Sequence, residues 1–552
     1  MGATTGSSVS YVTEIPSWVA RLRRENGLVV GGGILLPGNR VLTCAHVVTP
    51  GGRFLVELIG CRGRLRSDDF PRVWATVTTH VPPDLGPDRD ASGDLALLAL
   101  DTPQPQEWST SLHRLSSSRR EVVMYGFPEG HDGGLWLQGQ IVGTAGADGR
   151  VQLNPRTPEQ KAVPGFSGAG VVDTRTGAVI GIALTVSQIF PFCFMSPAET
   201  ITRHLPGISG CVRGPIAVDR TLVTATGEEG VDLPFAERLA DWLKGKGYAV
   251  KISVVAADDS ARAETLRRTI ALADRELHST GPAQPIPGLA ADAAPPVGGL
   301  DLAIDVTGCS TDEISTRVAE RLGLDVTDFT EATRRVRAYG LALGLVVVGV
   351  DRAVDPAGLI HLFGGLLAQD SRLLLVFRDE HADSLRLAET ELVVKPWNQR
   401  IELLADRLTA LLDGPGVKLQ ELSHRFSAGA EVAGRDLEEA YRVLRALGLL
   451  GPASTDPRPW AKLQAFEETA VRARASVDEA VKRLDWSLSR RDELRGRLTG
   501  YQSIVSAGTG PEDLEAAARF QAAHRLLHKA PCDLAACEQA VESFLRYVDE
   551  NT

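Results

Sequence analysis

Three side chains capable of acyl transfer lie in short motifs along the first part of the chain. His46 lies in TCAHVV, Asp94 precedes the apolar run LALLAL, and Ser167 lies in PGFSGAGV. A serine hydroxyl is a poor nucleophile until a base accepts its proton, and an imidazole titrates near neutral pH and can take and return it. A buried carboxylate can hold the imidazole in the right tautomer. Together these residue types predict a Ser-His-Asp hydrolase.

Each of these residues also has an ordinary structural explanation. A single histidine beside a strand is more often a core or surface residue, an aspartate before a strand is more often a turn residue, and G-x-S-G is common in loops. The order His, Asp, Ser within one all-β region nevertheless favours a catalytic set. The glycines fit it too, because backbone N–H groups must approach an oxyanion closely and Gly165 permits that approach.

The elements that must position these residues are short strands. Apolar or alternating runs such as GLVVGGGILL, RVLTCAH, DLALLAL and AVIGIAL recur from residue 10 to about residue 208, separated by Gly, Pro, Asn and Asp. Many short strands with such punctuation predict a β-sandwich or β-barrel.

The motifs VLTCAHVV, GDLALLAL and PGFSGAGV resemble the signature blocks of the chymotrypsin-fold, trypsin-like serine proteases, and those of intracellular bacterial members more than those of secreted digestive ones. The resemblance covers residues 10 to about 208. It implies two six-stranded β-barrels with the site in the cleft between them. It also implies His46 as general base, Asp94 as its orienting acid, Ser167 as nucleophile, and the N–H groups of Gly165 and Ser167 as the oxyanion hole.

Two departures from this family are informative. Digestive members carry an aspartate just before the serine, where it pairs with a new amino terminus after zymogen cleavage, whereas this chain has Phe166. We therefore expect the oxyanion loop to be ordered in another way, by another domain or a partner. The family often has a disulfide-bonded cysteine after the histidine, whereas here Val47 follows and Cys44 precedes, which is consistent with a reducing compartment.

Substrate specificity is predicted from the resemblance at four positions. Lys161 stands where the family places the floor of its primary specificity pocket, and a lysine there would favour an acidic side chain. A solvated surface lysine is the simpler explanation. The stretch ALTVSQ, which includes Thr185, Val186 and Ser187, is predicted to supply the strand that pairs with the substrate backbone.

Beyond residue 213 the pattern changes to alternating strands and helices. RTLVTATG and YAVKISVVAAD predict strands and LPFAERLADWLKGKG predicts a helix, so residues 214–415 are expected to form an α/β domain with a parallel sheet. Residues 279–299 are rich in Pro, Ala and Gly and are predicted to be a linker or long surface loop. Residues 416–552 have dense charge and helical periodicity, which predicts a C-terminal helical bundle. Residues 1–213 form the predicted protease domain.

The α/β region resembles a signal-transduction NTPase that has lost its motif. LAIDVTGCSTDEISTRVAERLGL has the strand–loop–helix layout of a phosphate-binding unit, and LVVVGVDRAVDP resembles the acidic strand of a P-loop NTPase, ending at Asp351. The motif G-x-x-x-x-G-K-[ST] is absent, and the four residues after Gly308 include no lysine to meet the phosphates. A degenerate sensor or scaffold domain and a plain α/β domain both stay open, whereas an active NTPase is disfavoured.

Composition excludes several classes of function. The formal net charge of -11 argues against a nucleic-acid partner, which would need a basic surface. The longest apolar stretch, AYGLALGLVVVGV, is too short to span a bilayer, and no secretory signal is visible. The seven cysteines are an odd number at scattered spacings and do not indicate a disulfide framework. We therefore expect a cytoplasmic protein with neither a membrane association nor a metal or other cofactor.

Together these observations predict a regulated serine endopeptidase that cleaves protein substrates through an acyl-enzyme. It is expected to be an effector in bacterial signalling or conflict. A regulatory protein partner is expected to bind through the α/β or the helical region. The alternative is a catalytically silent protease-fold protein that acts as a docking platform or scaffold. A nucleotide-driven switch is disfavoured by the missing P-loop lysine.

Overall fold

The computed structural model describes residues 14–551, except for 62–68, 86–90, 115–119, 146–147, 158–162, 187–192, 224–229, 278–285, 325–331, 333, 337–342, 368–370, 419–424, 427–441, 444–457 and 509–512. The chain divides into two compact units, Met1–Leu392 and Val393–Thr552. The predicted division into three domains stays a prediction. Within the predicted linker, Ile286 is buried and Ala291–Ala293 form a 3-10 turn.

The first β-barrel is built from short strands whose residues are mostly buried. Its strands and a small hairpin are β1 Val19–Arg23, β2 Val29–Leu36, β3 Arg40–Thr43, β4 Arg53–Leu58, β5 Arg72–Val81, β6 Asp84–Leu85, β7 Ala91–Ser92 and β8 Leu95–Leu100. Six of them close the barrel in the order β1-β2-β3-β8-β5-β4, with antiparallel neighbours. Buried aliphatic side chains fill the interior, as expected for a small barrel, among them Leu22, Ile34, Leu42, Val56 and Leu98.

A second β-barrel follows along the chain. Its strands are β9 Leu112–His113, β10 Glu121–Gly126, β11 Leu135–Ala145, β12 Arg150–Pro155, β13 Gly170–Asp173, β14 Val179–Val186, β15 Cys193–Pro197 and β16 Val212–Arg213. The sheet order is β13-β10-β11-β12-β15-β14-β9-β16, and pairing of β13 with β14 closes six of these strands into a barrel. Helix α1, Ala198–His204, follows β15. The predicted double β-barrel is therefore confirmed.

A parallel sheet forms the rest of the first unit. Its strands are β17 Val250–Val254, β18 Leu302–Asp305, β19 Gly344–Val348 and β20 Arg372–Phe377, and its helices are α2 Leu233–Leu243, α3 Ser260–Ala273, α4 Thr311–Arg321, α5 Pro356–Leu367 and α6 Asp383–Glu389. The order is β17-β20-β19-β18, and all pairs are parallel. The runs LVVV and LLLVF are almost wholly buried, as is typical of a parallel sheet covered on both faces. The predicted α/β elements are confirmed.

The predicted strand RTLVTATG is wrong at its start, where Arg220–Leu222 form a 3-10 turn. The rest of that motif lies mostly outside the described residues. Val218 still bridges to Ala303 beside β18, but the Asp219 carboxylate then accepts the backbone N–H of Asp305 at 2.9 Å. Because this side-chain bond takes the place of a further ladder bond, the chain turns instead of continuing as a strand.

The second unit is helical where the structure describes it. Its helices include α7 Lys395–Leu411, α8 Arg458–Gly508, α9 Leu514–His528 and α10 Leu534–Asn551. Helices α8, α9 and α10 share a core that contains Leu494, Leu498, Leu527, Val541 and Phe544. The predicted helical character of the C-terminal region is confirmed. Among all described helices, none combines the length and the apolar character needed to cross a bilayer.

Candidate active site

The structure brings the three predicted catalytic side chains into one chain of hydrogen bonds. His46 Nε2 lies 2.9 Å from Ser167 Oγ, and His46 Nδ1 lies 2.8 Å from Asp94 Oδ2. The backbone N–H of His46 donates to Asp94 Oδ1 at 3.0 Å. The Asp94 side chain is 3% exposed, whereas that of His46 is 36% exposed. With Nδ1–H donated to the buried carboxylate, the lone pair of Nε2 faces the serine hydroxyl.

Strand register brings the histidine and the aspartate together. Strands β3 and β8 pair antiparallel with Thr43 opposite Ala96, so the end of β3 lies beside the start of β8. His46 lies in the 3-10 turn Ala45–Val47 that follows β3, and Asp94 immediately precedes β8. The two residues are distant in sequence, and this pairing makes them neighbours.

Cys44 anchors the histidine turn to the second barrel. Its thiol is fully buried and donates to the carbonyl of Ala183 on β14 at 3.2 Å. Burial raises the pKa of Cys44 well above its ordinary value, and the charge of Asp94 raises it further. Among the described residues, Cys44, His46 and Asp94 have side-chain atoms close enough together to be considered as metal ligands. A protonated thiol that donates to a carbonyl is a poor metal ligand, so His46 and Asp94 fit acyl transfer with Ser167 better than metal binding with Cys44.

The aspartate lies in a strained turn. Gly93 and Asp94 both have positive φ, at 69° and 65°. A non-glycine residue in this region costs about 1–2 kcal/mol, although Asp tolerates it better than most residues. The N–H of Gly93 donates to Asp148 Oδ2 at 3.0 Å, a bond that reaches from the first barrel to the second. The conformation of this turn therefore depends on contacts with distant residues.

The serine loop, residues 163–169, is held by both barrels. The N–H of Gly32 on β2 donates to the carbonyl of Ser167 at 2.9 Å, and the N–H of Gly168 donates to the carbonyl of Ala183 at 2.8 Å. Gly165 has a φ of 107°, and a side chain there would also overlap the carbonyl of Phe127. Glycine is therefore required at Gly165 for both conformation and space.

The glycines of β2 are functional residues that sequence reasoning missed. A Cβ atom on Gly31 would lie 3.0 Å from the carbonyl oxygen of Ser167, and one on Gly32 would lie 3.3 Å from the backbone nitrogen of Ala169. A side chain at either position would therefore crowd the close approach of strand β2 to the serine loop. The signal was present in VVGGGILL, because consecutive glycines within a strand often mark the close approach of another backbone.

Phe166 fixes the serine loop by burial. Its side chain belongs to the core of the second barrel and is 3% exposed. Its ring lies so close to Gly126 on β10 that a side chain on that glycine would overlap it. Burying a phenylalanine contributes roughly 1.5–3 kcal/mol. The loop therefore has a hydrophobic anchor within its own barrel, one that needs no ion pair with a new amino terminus.

The predicted specificity residues are only partly described. Lys161 and Ser187 lie outside the described residues. Thr185 and Val186 lie in β14, where the structure describes their backbone. All four assignments stay predictions.

The loop between β18 and α4, residues 308–311 and here called the capped loop, does not resemble a phosphate cradle. The Oγ of Ser310 accepts the backbone N–H of Glu313 at 3.3 Å, and the Glu313 carboxylate accepts the backbone N–H of Ser310 at 2.7 Å. The latter bond lowers the pKa of Glu313. The chain's own carboxylate thus occupies the position that a bound anion would take at this helix N-terminus.

The acidic residue of the NTPase-like pattern also has a structural role. The side chain of Asp351 is 3% exposed, and its Oδ1 accepts the backbone N–H of Arg378 at 2.8 Å. This bond joins the residues that follow β19 and β20. Together with the capped loop, it favours a plain α/β domain over phosphate binding.

Comparisons with known proteins agree with the double barrel. Residues 26–182 match the family model of the trypsin-like peptidase domain, a stretch that contains all three residues of the hydrogen-bonded set. No curated protein matches the chain.

Solved structures resemble the chain over about a third of its length. The inactive form of the Rv3671c protease from M. tuberculosis is 21% identical, with 35% of this chain and 89% of that chain covered and a TM-score of 0.27. The MamO protease domain from Magnetospirillum magneticum is 19% identical, with 35% and 97% covered and a TM-score of 0.26. The HtrA-type protease AlgW with decapeptide is 18% identical, with 38% and 70% covered and a TM-score of 0.28. These likenesses concern the fold alone.

Proposed function

We propose that the double-barrel region is a serine endopeptidase that hydrolyses protein substrates through an acyl-enzyme on Ser167. The observation that carries this proposal is the hydrogen-bonded chain from Ser167 Oγ to His46 Nε2 at 2.9 Å and from His46 Nδ1 to Asp94 Oδ2 at 2.8 Å. The match of residues 26–182 to the trypsin-like peptidase domain supports the same class of reaction.

The proposed reaction has two halves. In acylation, Ser167 Oγ attacks the carbonyl carbon of the scissile bond while His46 Nε2 accepts the hydroxyl proton. The tetrahedral intermediate collapses, the C–N bond breaks, and His46 returns the proton to the leaving amine. Water then attacks the ester by the same proton route, which releases the carboxylic acid product and restores Ser167. Asp94 stays ionised throughout and stabilises the imidazolium.

The developing oxyanion is assigned to the N–H groups of Gly165 and Ser167. One such donor typically lowers the barrier by about 2.7–4 kcal/mol. Two contacts support this assignment, since they fix the loop on either side of the serine: the burial of Phe166 and the bond from Gly32 N–H to the Ser167 carbonyl.

Protein substrates are proposed to bind as an added strand along β14. Strand β13 pairs with β14 as far as Ile182, whereas β15 pairs with it as far as Val186. The last residues of β14 therefore have one edge with no partner among the described strands. An extended peptide can pair with such an edge through its backbone. Thr185, Val186 and Ser187 would then line the substrate, and Lys161 would select an acidic side chain.

Regulation through the α/β region is a further part of the proposal. Arg321 on α4 pairs with Glu199 on α1 at 2.9 Å, and both side chains are almost fully buried. Arg114 pairs with Glu276 at 2.6 Å. These two ion pairs support a close structural tie between the α/β region and the second barrel. A cytoplasmic role in bacterial signalling or conflict, with a regulatory protein partner, belongs to the same proposal.

The decisive experiment is covalent labelling of the purified protein with an alkyl fluorophosphonate probe. We expect a label on Ser167 of the wild type, none on Ser167→Ala, and an unchanged label on Ser209→Ala, which removes an exposed serine outside the set. Circular dichroism would establish that each variant is folded. Absence of label on a folded wild type would contradict the proposal and favour the docking or scaffold alternative.

A further inference from the structure

The turn between β11 and β12 carries a carboxylate with several partners. Asp148 is 5% exposed, and its carboxylate accepts from the backbone N–H of Gly93 at 3.0 Å and lies 2.9 Å from His204 Nε2. It also forms an ion pair with Arg203, and both basic residues lie on α1. A buried carboxylate with so many bonds is held in one position.

This carboxylate bears directly on the turn that presents Asp94. Asp148 binds the N–H of Gly93, and Arg150, two residues further along, donates to the Gly93 carbonyl at 3.4 Å. Both backbone groups of the residue before Asp94 are therefore held from the second barrel. Since Gly93 and Asp94 have positive φ, the turn requires such contacts to keep its conformation.

The other side of the Asp148 turn is held by the α/β region. Arg275, which follows α3, donates to the carbonyl of Gly149 at 3.1 Å and to Thr144 Oγ1 at 2.6 Å. Arg203 in turn donates to the Arg275 carbonyl at 3.3 Å. Arg275 is 4% exposed, so these bonds are shielded from water. A continuous set of contacts thus runs from the α/β region to the triad.

We propose that Asp148 is a positioning residue for the hydrolysis and that Arg275 fixes the place of Asp148. Asp148 holds the Gly93–Asp94 turn so that the Asp94 carboxylate meets the imidazole of His46. The inference rests on the proposed function, because it assigns Asp148 a role in the same reaction. By this proposal, residues of the α/β region help to position the catalytic aspartate. A regulatory partner that binds the α/β region could then change the position of Asp94.

The first test measures labelling kinetics with an alkyl fluorophosphonate probe on the full chain. Since Asp148 touches the Asp94 turn and not the serine, Asp148→Ala should lower the maximal labelling rate about 10- to 100-fold with little change in the half-saturating probe concentration. Asp148→Asn keeps an oxygen for the Gly93 N–H and should recover part of the rate. Arg275→Met should cause a smaller loss than Asp148→Ala.

The matched control is Arg114→Gln. It breaks another ion pair between the same two regions, and its partners Glu276 and Gly214 are not part of the Asp94 turn. We expect its labelling rate per active site to equal that of the wild type. Titration of active sites with the probe separates a slower site from a smaller folded fraction. Equal rates per site in Asp148→Ala and the wild type, or an equal loss in Arg114→Gln, would overturn the proposal.

Hydrogen exchange of the peptide spanning residues 91–96 tests the positioning without any activity. Asp148→Ala should exchange faster there than the wild type, whereas Arg114→Gln should not, because only the former loses the bond to Gly93. If the folded wild type takes no label, the proposed function fails, and exchange then decides the structural claim alone. Unchanged exchange in Asp148→Ala would refute the role of Asp148 itself.

Discussion

The serine loop and the capped loop differ in where the hydrogen-bond partner of the serine side chain lies. In the serine loop, partners arrive from elsewhere in the fold: Gly32 binds the backbone of Ser167, and His46 reaches its hydroxyl. In the capped loop the backbone of Gly308 and Cys309 also bonds to the distant residues Arg352 and Val354. The Ser310 side chain, however, has a local partner, because Ser310 and Glu313 satisfy one another within a single helical turn.

This difference separates the loop that we propose to be reactive from a structural one. A side chain whose hydrogen bonds are completed by its immediate neighbours mainly stabilises local structure. A hydroxyl that faces a base from a distant element is available for proton transfer. Both loops contain glycine and serine, so residue type alone does not distinguish them. The two loops are distinguished by whether the hydrogen-bond partner of the serine side chain is near or distant in the sequence.

The largest expected effect is the loss of hydrolysis when a partner of Ser167 is removed, compared with the removal of Ser310 in the capped loop. His46→Ala should lower hydrolysis of fluorescently labelled casein by about 10⁴-fold or more, because it removes the only base in the hydrogen-bonded set. Asp94→Asn should cost about 10⁴-fold through the wrong tautomer. Ser310→Ala should leave the rate unchanged. A substantial loss in Ser310→Ala at full folded content would break the comparison.

A smaller effect is expected from the glycine of the serine loop. Gly165→Ala places a side chain at a φ of 107° and against the carbonyl of Phe127, which should displace the proposed oxyanion donor. We expect a rate loss of about 10²- to 10³-fold. Gly133→Ala is the matched control, since that glycine faces open space. The measurement is casein hydrolysis per labelled site, and comparable rates in the two variants would count against the oxyanion assignment.

Two carboxyls, Asp148 in the second barrel and Glu313 in the α/β region, allow a test by pH. Burial raises the pKa of Asp148, but the hydrogen bond from His204 and the charges of Arg203 and His204 outweigh it, so the pKa lies below its ordinary value. The pKa of Glu313 is lowered by the bond from the Ser310 backbone. A lowered pKa stabilises the fold above the unfolded carboxyl's value of about 4, and this contribution is lost as pH falls through the folded value.

The expected outcome follows from burial. In the wild type the free energy of unfolding should fall as the pH drops below about 4. Because Asp148 is buried and Glu313 is exposed, Asp148→Asn should reduce this fall more than Glu313→Gln does. Urea unfolding at several pH values from about 6 down to about 3 measures this slope. A larger change in Glu313→Gln would show that the capped loop, not the Asp148 turn, carries the acid sensitivity.

The smallest expected effect concerns nucleotides. Because the capped loop supplies its own carboxylate, ATP with magnesium should not shift the thermal unfolding temperature of the chain. A ligand present at 100 times its Kd would add about 2.7 kcal/mol of stability, which such a measurement detects easily. A clear shift that disappears in Asp351→Asn would restore the degenerate NTPase as a nucleotide sensor.

Much of the site was readable from the sequence. The types and order of His46, Asp94 and Ser167 identified the residues that the fold brings together, because side-chain chemistry is carried by the residue itself. The punctuated apolar runs predicted a β-sandwich or β-barrel, and the alternating runs beyond them predicted the parallel sheet, because strand and helix periodicity are local properties. The double barrel itself was implied by the resemblance of the three motifs to trypsin-like proteases. RTLVTATG failed for the complementary reason: a long-range bond from Asp219 overrode a local preference for strand.

Only the tertiary structure decided how these residues are held. The bond from Gly93 to Asp148 links positions 55 residues apart, and the sequence around neither residue predicts it. The anchoring of Phe166 against Gly126 and of Gly32 against the serine loop likewise depends on packing between elements. Such contacts arise when burial brings distant segments together, so they depend on the whole fold and not on any short stretch of sequence.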